Sequence, residues 1–212
     1  MSVEQSLLNY VLSYSERGNI QSVLNSIDHY CWSRHMMVHI GDVKGAILDA
    51  QVRKRRPKTV LELGTYCGYG TLRIISQLPR DALFISVEAD PATAYIAQQI
   101  LEHAGVIDRV IIVPGLSDYV IPQIRNYYNI SSFDFIFIDH SKESYLRDLR
   151  LLEHTNLIST GSMIVADNVI FPGVPDYLQY VRNNPNYKSK LYESFVEYST
   201  DIRDGVEVSV RK

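Results

Sequence analysis

Four residues able to hold a ligand through oxygen close short apolar segments of this chain. Glu88 ends LFISVE, Asp139 ends FDFIFID, and Asp167 with Asn168 end SMIVADN. If those segments are strands of one parallel sheet, their carboxyl ends share an edge, where open α/β sheets bind ligands. Asp139, Asp167 and Asn168 would then converge as an all-oxygen set, the kind that suits a hard divalent cation such as Mg2+. Taken singly, each reads as a cap on the turn after its strand, a common use of Asp and Asn. Together on one edge they favour the cation. A second feature points to the same edge. In VLELGTYCGYG, residues 60–70, an apolar segment runs into a turn holding Gly64, Gly68 and Gly70, and the helix-compatible TLRIISQL follows. Glycine lets the backbone turn sharply and approach a ligand closely. A strand, a glycine-rich turn, a helix and an acid (Glu88) ending the next strand form a nucleotide-binding half-site, the acid facing a ribose. The turn matches neither the GxGxxG fingerprint nor the GxxxxGK[ST] phosphate loop.

The elements that must position these residues follow from periodicity. VEQSLLNYVLSYS, ended by Gly18, then IQSVLNSIDHYCWS and, after Gly41, DVKGAILDAQVRK read as helices filling the first 50 or so residues. Strands TVLELG, LFISVE, RVIIVPG, FDFIFID and SMIVAD then alternate with helices TLRIISQL, ATAYIAQQILEHAG, DYVIPQIRNYY and YLRDLRLLEHTNLI. The strands are apolar almost throughout, as expected where helices cover both faces of a parallel sheet. Asp90-Pro91 reads as an N-cap followed by proline at the first helical position. SKLYESFVEYS and GVEVSVR alternate and read as an antiparallel pair at the sheet edge. The expected fold is α/β, a doubly wound, mostly parallel sheet with extra N-terminal helices, forming one domain over residues 1–212, with 1–56 as its helical N-terminal part.

Composition narrows the function. A chain of 212 residues with 46% hydrophobic and 21% charged residues can bury a full core. With 21 basic and 24 acidic residues the net charge is −3, which points to neither nucleic acid nor an anionic membrane. The run Arg53-Lys54-Arg55-Arg56 reads as a solvated helix end. Cys31 and Cys67 make no disulfide framework and suit a reducing cytosol. No apolar run approaches the roughly 18 residues of a membrane span, and no signal peptide opens the chain, so a cytoplasmic location is expected.

The turn ELGTYCGYG resembles the first motif of class I methyltransferases, whose cofactor S-adenosylmethionine carries a ribose and adenine without phosphate. Together with IDHSK, VADNVIFPG and VEYSTDIRDG, it makes the chain similar to the catechol O-methyltransferase family from the helix GNIQSVLNSIDHYC to the final strand. The resemblance implies a seven-stranded sheet with a reversed edge strand, and methyl transfer from S-adenosylmethionine to a hydroxyl of a catechol in the presence of Mg2+. It implies Asp139, Asp167 and Asn168 as metal ligands, Lys142 as general base and Glu197 as the acid that hydrogen-bonds the second catechol hydroxyl. Glu88 would bind the ribose, and Ser117 and His140 would lie near the adenine. Ile40, Glu62, Gly64, Tyr66, Gly70, Ala89 and Asp139 would line the rest of the cofactor site. Met36 and Pro172, with Lys142, Asn168 and Glu197, would face the substrate. The chemistry fits these types: a catechol hydroxyl is a poor nucleophile until a cation lowers its pKa, and a neutral lysine can take its proton.

The chain departs from that family where tryptophans form the substrate walls, since Met36 and Ser141 stand there, and where His39 replaces an asparagine near the cofactor. His39, GTYCGY and FPGVPDYLQY resemble the paralogous transmembrane O-methyltransferases. That likeness implies an alternative, a methyltransferase fold acting mainly by binding a protein partner. Another is an O-methyltransferase for a different vicinal diphenol, such as a caffeoyl ester. The intact Asp139, Asp167, Asn168, Lys142 and Glu197 favour the enzyme.

Overall fold

Capping residues define where the chain becomes helical. In the computed structural model, which describes residues 2–212, Ser2 opens α1 (Val3–Tyr14) and Asn19 opens α2 (Ile20–Ser33). Their side chains accept the backbone N–H of Gln5 at 3.2 Å and of Ser22 at 3.1 Å. Helix α3 spans Gly41–Arg55. Strand β1 (Thr59–Leu63), α4 (Tyr69–Gln77), β2 (Leu83–Glu88), α5 (Pro91–His103), β3 (Ile111–Pro114), α6 (Ser117–Tyr128), β4 (Phe133–Ile138), α7 (Tyr145–His154) and β5 (Ile158–Ala166) alternate after it. Helix α8 (Pro175–Asn183) and strands β6 (Tyr187–Phe195) and β7 (Arg203–Arg211) complete the chain. As the sequence predicts, Asp90 caps α5, accepting from Ala92 N–H at 3.1 Å and Thr93 N–H at 3.3 Å.

The seven strands form one sheet in the order β3-β2-β1-β4-β5-β7-β6, the first five parallel. Side chains alternate between its faces. Phe135 and Phe137 of β4 join the core beneath α1 to α5, whereas Ile136 and Ile138 join the core beneath α6, α7 and α8. The order reverses between β1 and β4, and at such a switch point the loops leaving adjacent strands part to opposite faces and open a crevice. Hydrogen bonds continue just past the strand ends there. Gly64 N–H donates to Val87 O at 2.9 Å, Asp139 N–H to Leu63 O at 2.9 Å, and Asp167 N–H to Ile138 O at 3.1 Å. Glu88, Gly64, Asp139 and Asp167 are thereby ranked along one edge.

Three details differ from the sequence expectation. The reversed strand is β7, and it lies inside the sheet between β5 and β6, leaving β6 at the edge. The burial of the two strands explains the order: β7 is buried from Asp204 to Ser209, while β6 alternates and leaves polar residues outward. Helix α7 stops at His154 rather than near Ile158. Asn156 takes a left-handed conformation (φ 56°), ending the helix, and Ile158 pairs with Phe133. Arg55 is more than a solvated helix end, since it donates to Asp134 at 2.6 Å and to Gly161 O at 2.9 Å. Among the described residues no helix is long and apolar enough to cross a membrane.

The β1–α4 turn needs glycine at one position above all. Gly64 has φ 98°, and a Cβ there would collide with the Asp139 carbonyl and lie 3.0 Å from the His140 nitrogen. The two central loops meet with no room for a side chain. Gly64→Ala should therefore destabilise the protein by at least about 1–3 kcal/mol, read as a lower midpoint in denaturant unfolding at unchanged slope. A variant as stable as the parent would show that the loops can part freely.

Candidate functional site

A cleft of about 690 Å3 opens over the carboxyl ends of β1, β2 and β4. On its β2 side Leu63, Gly64, Tyr66, Val87, Glu88 and Ala89 form the wall, and Ser117, His140 and Arg147 stand beyond them. Glu88 is fixed by backbone. One carboxylate oxygen accepts Tyr66 N–H at 2.7 Å and the other accepts Asp90 N–H at 3.0 Å. Each oxygen keeps a further lone pair for a ligand hydroxyl. Tyr66 reaches this position in a left-handed conformation (φ 46°), with its hydroxyl donating to Glu4 at 3.0 Å.

His140 and Ser117 are oriented by one buried acid. Asp148 Oδ2 lies 2.6 Å from His140 Nε2 and accepts from Ser117 Oγ at 2.5 Å, while Arg147 Nε donates to Oδ1 at 2.8 Å. Burial raises the Asp148 pKa, but these donors outweigh it and hold the carboxyl below its ordinary range. With Nε2 committed to Asp148, His140 Nδ1 is buried and has no hydrogen-bond partner within the protein. The ring itself stacks on Tyr145 with centroids 5.4 Å apart.

The β4–β5 side is a charge cluster. Lys44 of α3, almost fully buried, donates to Asp167 and Glu197 at 3.0 Å each and to Asp204 at 2.6 Å. Burial opposes its charge, yet the three carboxylates prevail and raise its pKa above the ordinary value. Asn168 Nδ2 donates to Asp204 at 2.9 Å and to Glu197 at 3.3 Å. Lys142 donates to Asp139 Oδ1 at 3.0 Å and to the hydroxyl of Tyr145 at 2.7 Å, and that hydroxyl donates to Asp167 O at 3.2 Å. Burial pushes the Asp139 and Asp167 carboxyls above their usual range, with Lys142 and Lys44 respectively pulling the other way. Both oxygens of Asp167 lie near Lys44 Nζ, but only Oδ2 has hydrogen-bond geometry, and Oδ1 is buried without a donor.

The structure brings together in the cleft wall Met36, Gly64, Tyr66, Glu88, Ala89, Ser117, Asp139, His140, Ser141, Lys142, Asn168, Pro172 and Glu197. Asp167 lies directly beneath, fully buried. Ile40, Glu62 and Gly70 stand behind the wall rather than on it. Ile40 and Glu62 are fully buried, and Glu62 accepts from Thr71 at 2.5 Å and Ser86 at 2.6 Å. Gly70 clears space for that acid, because a Cβ would come within 2.7 Å of Glu62 Oε1. His39 also lies away from the cleft, stacked on Tyr69 at 4.1 Å. Burial, aided by the charges of Lys44 and Arg73, pushes its pKa down to about 3, so it is a neutral packing residue. Sequence reasoning missed Lys44, Tyr145, Asp148 and Asp204, and the apolar rim of Val38, Phe171 and Val196. Asp148 carried a faint signal, an acid on the apolar face of α7. Lys44 and Asp204 carried none.

The profile of a family described as O-methyltransferase matches residues 14–204. Catechol O-methyltransferase B of Danio rerio is 47% identical over 206 residues, 97% of this chain and 78% of that protein. Catechol O-methyltransferase of Mus musculus is 42% identical over 207 residues, 98% of this chain and 78% of that protein. Among solved structures, an O-methyltransferase from Bacillus cereus in complex with SAH superposes with a TM-score of 0.75 at 23% identity, covering 98% of this chain and 91% of that one.

Glu62 offers a direct test of the buried electrostatics. Burial pushes its pKa from 4.5 up to about 8, against the hydrogen bonds from Ser86 and Thr71 that favour the anion. A folded-state pKa above the unfolded one favours folding below pH 4.5, and that contribution is lost as pH rises toward about 8. Glu62→Gln, which keeps an acceptor for both hydroxyls, should flatten the decline in unfolding free energy across this window in the ligand-free protein. Parallel stability profiles for parent and variant would show that Glu62 titrates normally.

Proposed function

The chain belongs to the O-methyltransferase family, and from that premise we propose that it transfers a methyl group from S-adenosylmethionine to one hydroxyl of a catechol in a Mg2+-dependent reaction. The observation that carries the reading is the meeting, in one cleft, of Glu88 on the nucleotide side with Asp139, Lys142, Asn168 and Glu197 on the other. The names of its relatives among catechol O-methyltransferases support the substrate class. The two buried free thiols, Cys31 and Cys67, support a reducing, cytosolic setting.

The residues present fit a divalent cation. No group of three or more His, Cys, Asp or Glu side chains that could hold a metal exists among the described residues. The candidate set is instead Asp139, Asp167 and the amide oxygen of Asn168, all hard oxygen donors. Asp167 Oδ1 is a buried acceptor still lacking a donor, and the Asn168 nitrogen is committed elsewhere, which leaves its oxygen. Fully ionised, the four carboxylates Asp139, Asp167, Glu197 and Asp204 face two ammonium groups, Lys44 and Lys142. Two negative charges are left over, the complement of one divalent ion. When bound there, Mg2+ would lower the pKa of a catechol hydroxyl and fix the orientation of the diol.

The chain's own residues then divide the work. Glu88 accepts the ribose hydroxyls and sets the donor in place. Glu197 keeps one oxygen, Oε1, clear of Lys44 and Asn168 and can accept from the second catechol hydroxyl. Methyl transfer would bond the reacting oxygen to the methyl carbon as the donor's carbon–sulfur bond breaks, and Lys142 Nζ, once it has given up to solvent the proton it carries in the charge count above, would take the proton of the hydroxyl. Met36, Val38, Phe171, Pro172 and Val196 offer the ring an apolar, partly aromatic surface.

The test is methyl transfer to a simple catechol, with and without Mg2+ after chelation. Asp139→Ala and Asp167→Ala should abolish the Mg2+-dependent rate while S-adenosylmethionine still binds, and turnover that survives in either at saturating donor would sink the metal assignment. Lys142→Ala should lower kcat by about 10²–10⁴-fold with a much smaller change in KM. Near-normal kcat across the pH range would remove the base role. Glu88→Ala should weaken S-adenosylmethionine about ten- to hundredfold by calorimetry, the cost of one charge-assisted hydrogen bond. Unchanged affinity would remove that residue from the donor site.

A further inference from the structure

We propose that Asp204 is a positioning residue whose carboxylate sets the orientation of the Asn168 amide and so presents the amide oxygen to the cation; this rests on the Mg2+ reading above. Asp204 is fully buried at the start of β7 and does not reach the cleft wall. Three of the four hydrogen bonds it accepts come from the loop that carries Asn168, and the fourth comes from Lys44. Oδ2 accepts Asn168 Nδ2 at 2.9 Å and Lys44 Nζ at 2.6 Å. Oδ1 accepts the backbone N–H of Ile170 at 3.2 Å and of Phe171 at 3.0 Å.

The physical reason is an asymmetry of hydrogen-bonding capacity. A primary amide presents either two hydrogens or two lone pairs, and rotation by half a turn about its last bond exchanges them. A carboxylate can only accept. With Asp204 behind Asn168, the orientation that directs the amide oxygen at the carboxylate sets lone pair against lone pair in a buried space, and the opposite orientation makes a charge-assisted bond. The second acceptor beside Nδ2, Glu197 Oε2 at 3.3 Å, enforces the same choice. Asn168 needs this help because it sits in a left-handed conformation (φ 52°) with no cap hydrogen bond of its own. Asp204 therefore fixes both the backbone of the turn, through Ile170 and Phe171, and the direction of the ligand atom.

Asp204→Asn separates these two tasks. Its oxygen can still accept from Ile170 and Phe171, so the turn is retained, but its NH2 group faces Asn168 Nδ2 and Lys44 donor to donor. The measurement is Mn2+ binding to the purified protein by electron paramagnetic resonance, with calorimetry of S-adenosylmethionine and thermal unfolding alongside. Asp204→Asn should weaken Mn2+ about 10–100-fold, the usual effect of losing the partner of a metal ligand, while the melting curve stays cooperative. The exchanged pair, Asn168→Asp with Asp204→Asn, restores donor to acceptor between these two positions and the net charge of the cluster, sets its new carboxylate beside Glu197 Oε2, and should recover most of the Mn2+ affinity that Asp204→Asn loses. Mn2+ affinity unchanged in Asp204→Asn, or unrecovered in a folded exchanged pair, overturns the proposal. If Asp204→Asn fails to fold, the exchanged pair alone decides, tight binding supporting the proposal and weak binding refuting it. A parent that binds S-adenosylmethionine but no Mn2+ overturns the metal reading itself.

Discussion

A single ammonium group, that of Lys44, makes it feasible to bury this site. Asp167, Glu197 and Asp204 come from the turn that follows β5, from the loop before β7 and from β7 itself, and all three are buried. Each carboxylate taken from water costs several kcal/mol even after relaxation, and mutual repulsion at hydrogen-bond distances adds to this. Lys44 touches all three within 3.0 Å, so attraction replaces repulsion at the centre of the cluster. The lysine is supplied by α3, which ties the N-terminal helices to the far end of the sheet. Helix α3 has its own reasons to lie there. Gly41 allows it to approach Glu197 so closely that a Cβ would come within 2.7 Å of the Glu197 Cβ, and Arg55 at its end reaches Asp134. The packing of a helix and the ionisation state of the site are thus one problem with one solution.

The two halves of the cleft are built by different means. On the β1–β2 side the backbone does most of the work: Gly64 and Tyr66 hold positive φ, and Glu88 is held by two main-chain N–H groups. A site made of backbone tolerates changes of side chain around it. On the β4–β5 side the geometry depends on side chains bonded to other side chains, Lys44 with three acids, Lys142 with Asp139 and Tyr145, Asn168 with Asp204. Networks of this kind gain when complete and are costly when one member is lost.

Much of this arrangement was legible in the sequence, and the limits were physical. Short apolar strands ending in Glu88, Asp139 and Asp167 place those residues together as soon as the sheet is parallel, because parallel strands end on one edge. The left-handed Asn156 and the short helix α8 escaped because a single conformational choice, or nine residues, leaves too little periodicity to read. Lys44 and Asp204 escaped for a different reason. A buried cation looks in sequence like any helix lysine, and Asp204 beside Gly205 looks like a turn. Their burial depends on partners 123 and 160 residues from Lys44 along the chain, which local patterning cannot reveal. Likewise Glu62, which the family resemblance put at the cofactor, lies one layer behind the wall, in the space Gly70 leaves open.

The same burial that organises the site also sets its energetic sign. Glu62, Asp139 and Asp167 all have their pKa values raised by loss of hydration, so each favours the folded state less as its charged form becomes dominant. Groups that are uncomfortable as anions in the free protein are the ones that would gain most from a positive ligand. A divalent cation beside Asp139 and Asp167 would return the carboxylates to their ionised forms and release protons on binding. The sulfonium of a methyl donor would add further positive charge in the same cleft. On the proposed reading, stability would thereby be exchanged for affinity. Lys44 limits that exchange, since it offsets part of the negative charge permanently and leaves a deficit that one divalent ion would fill.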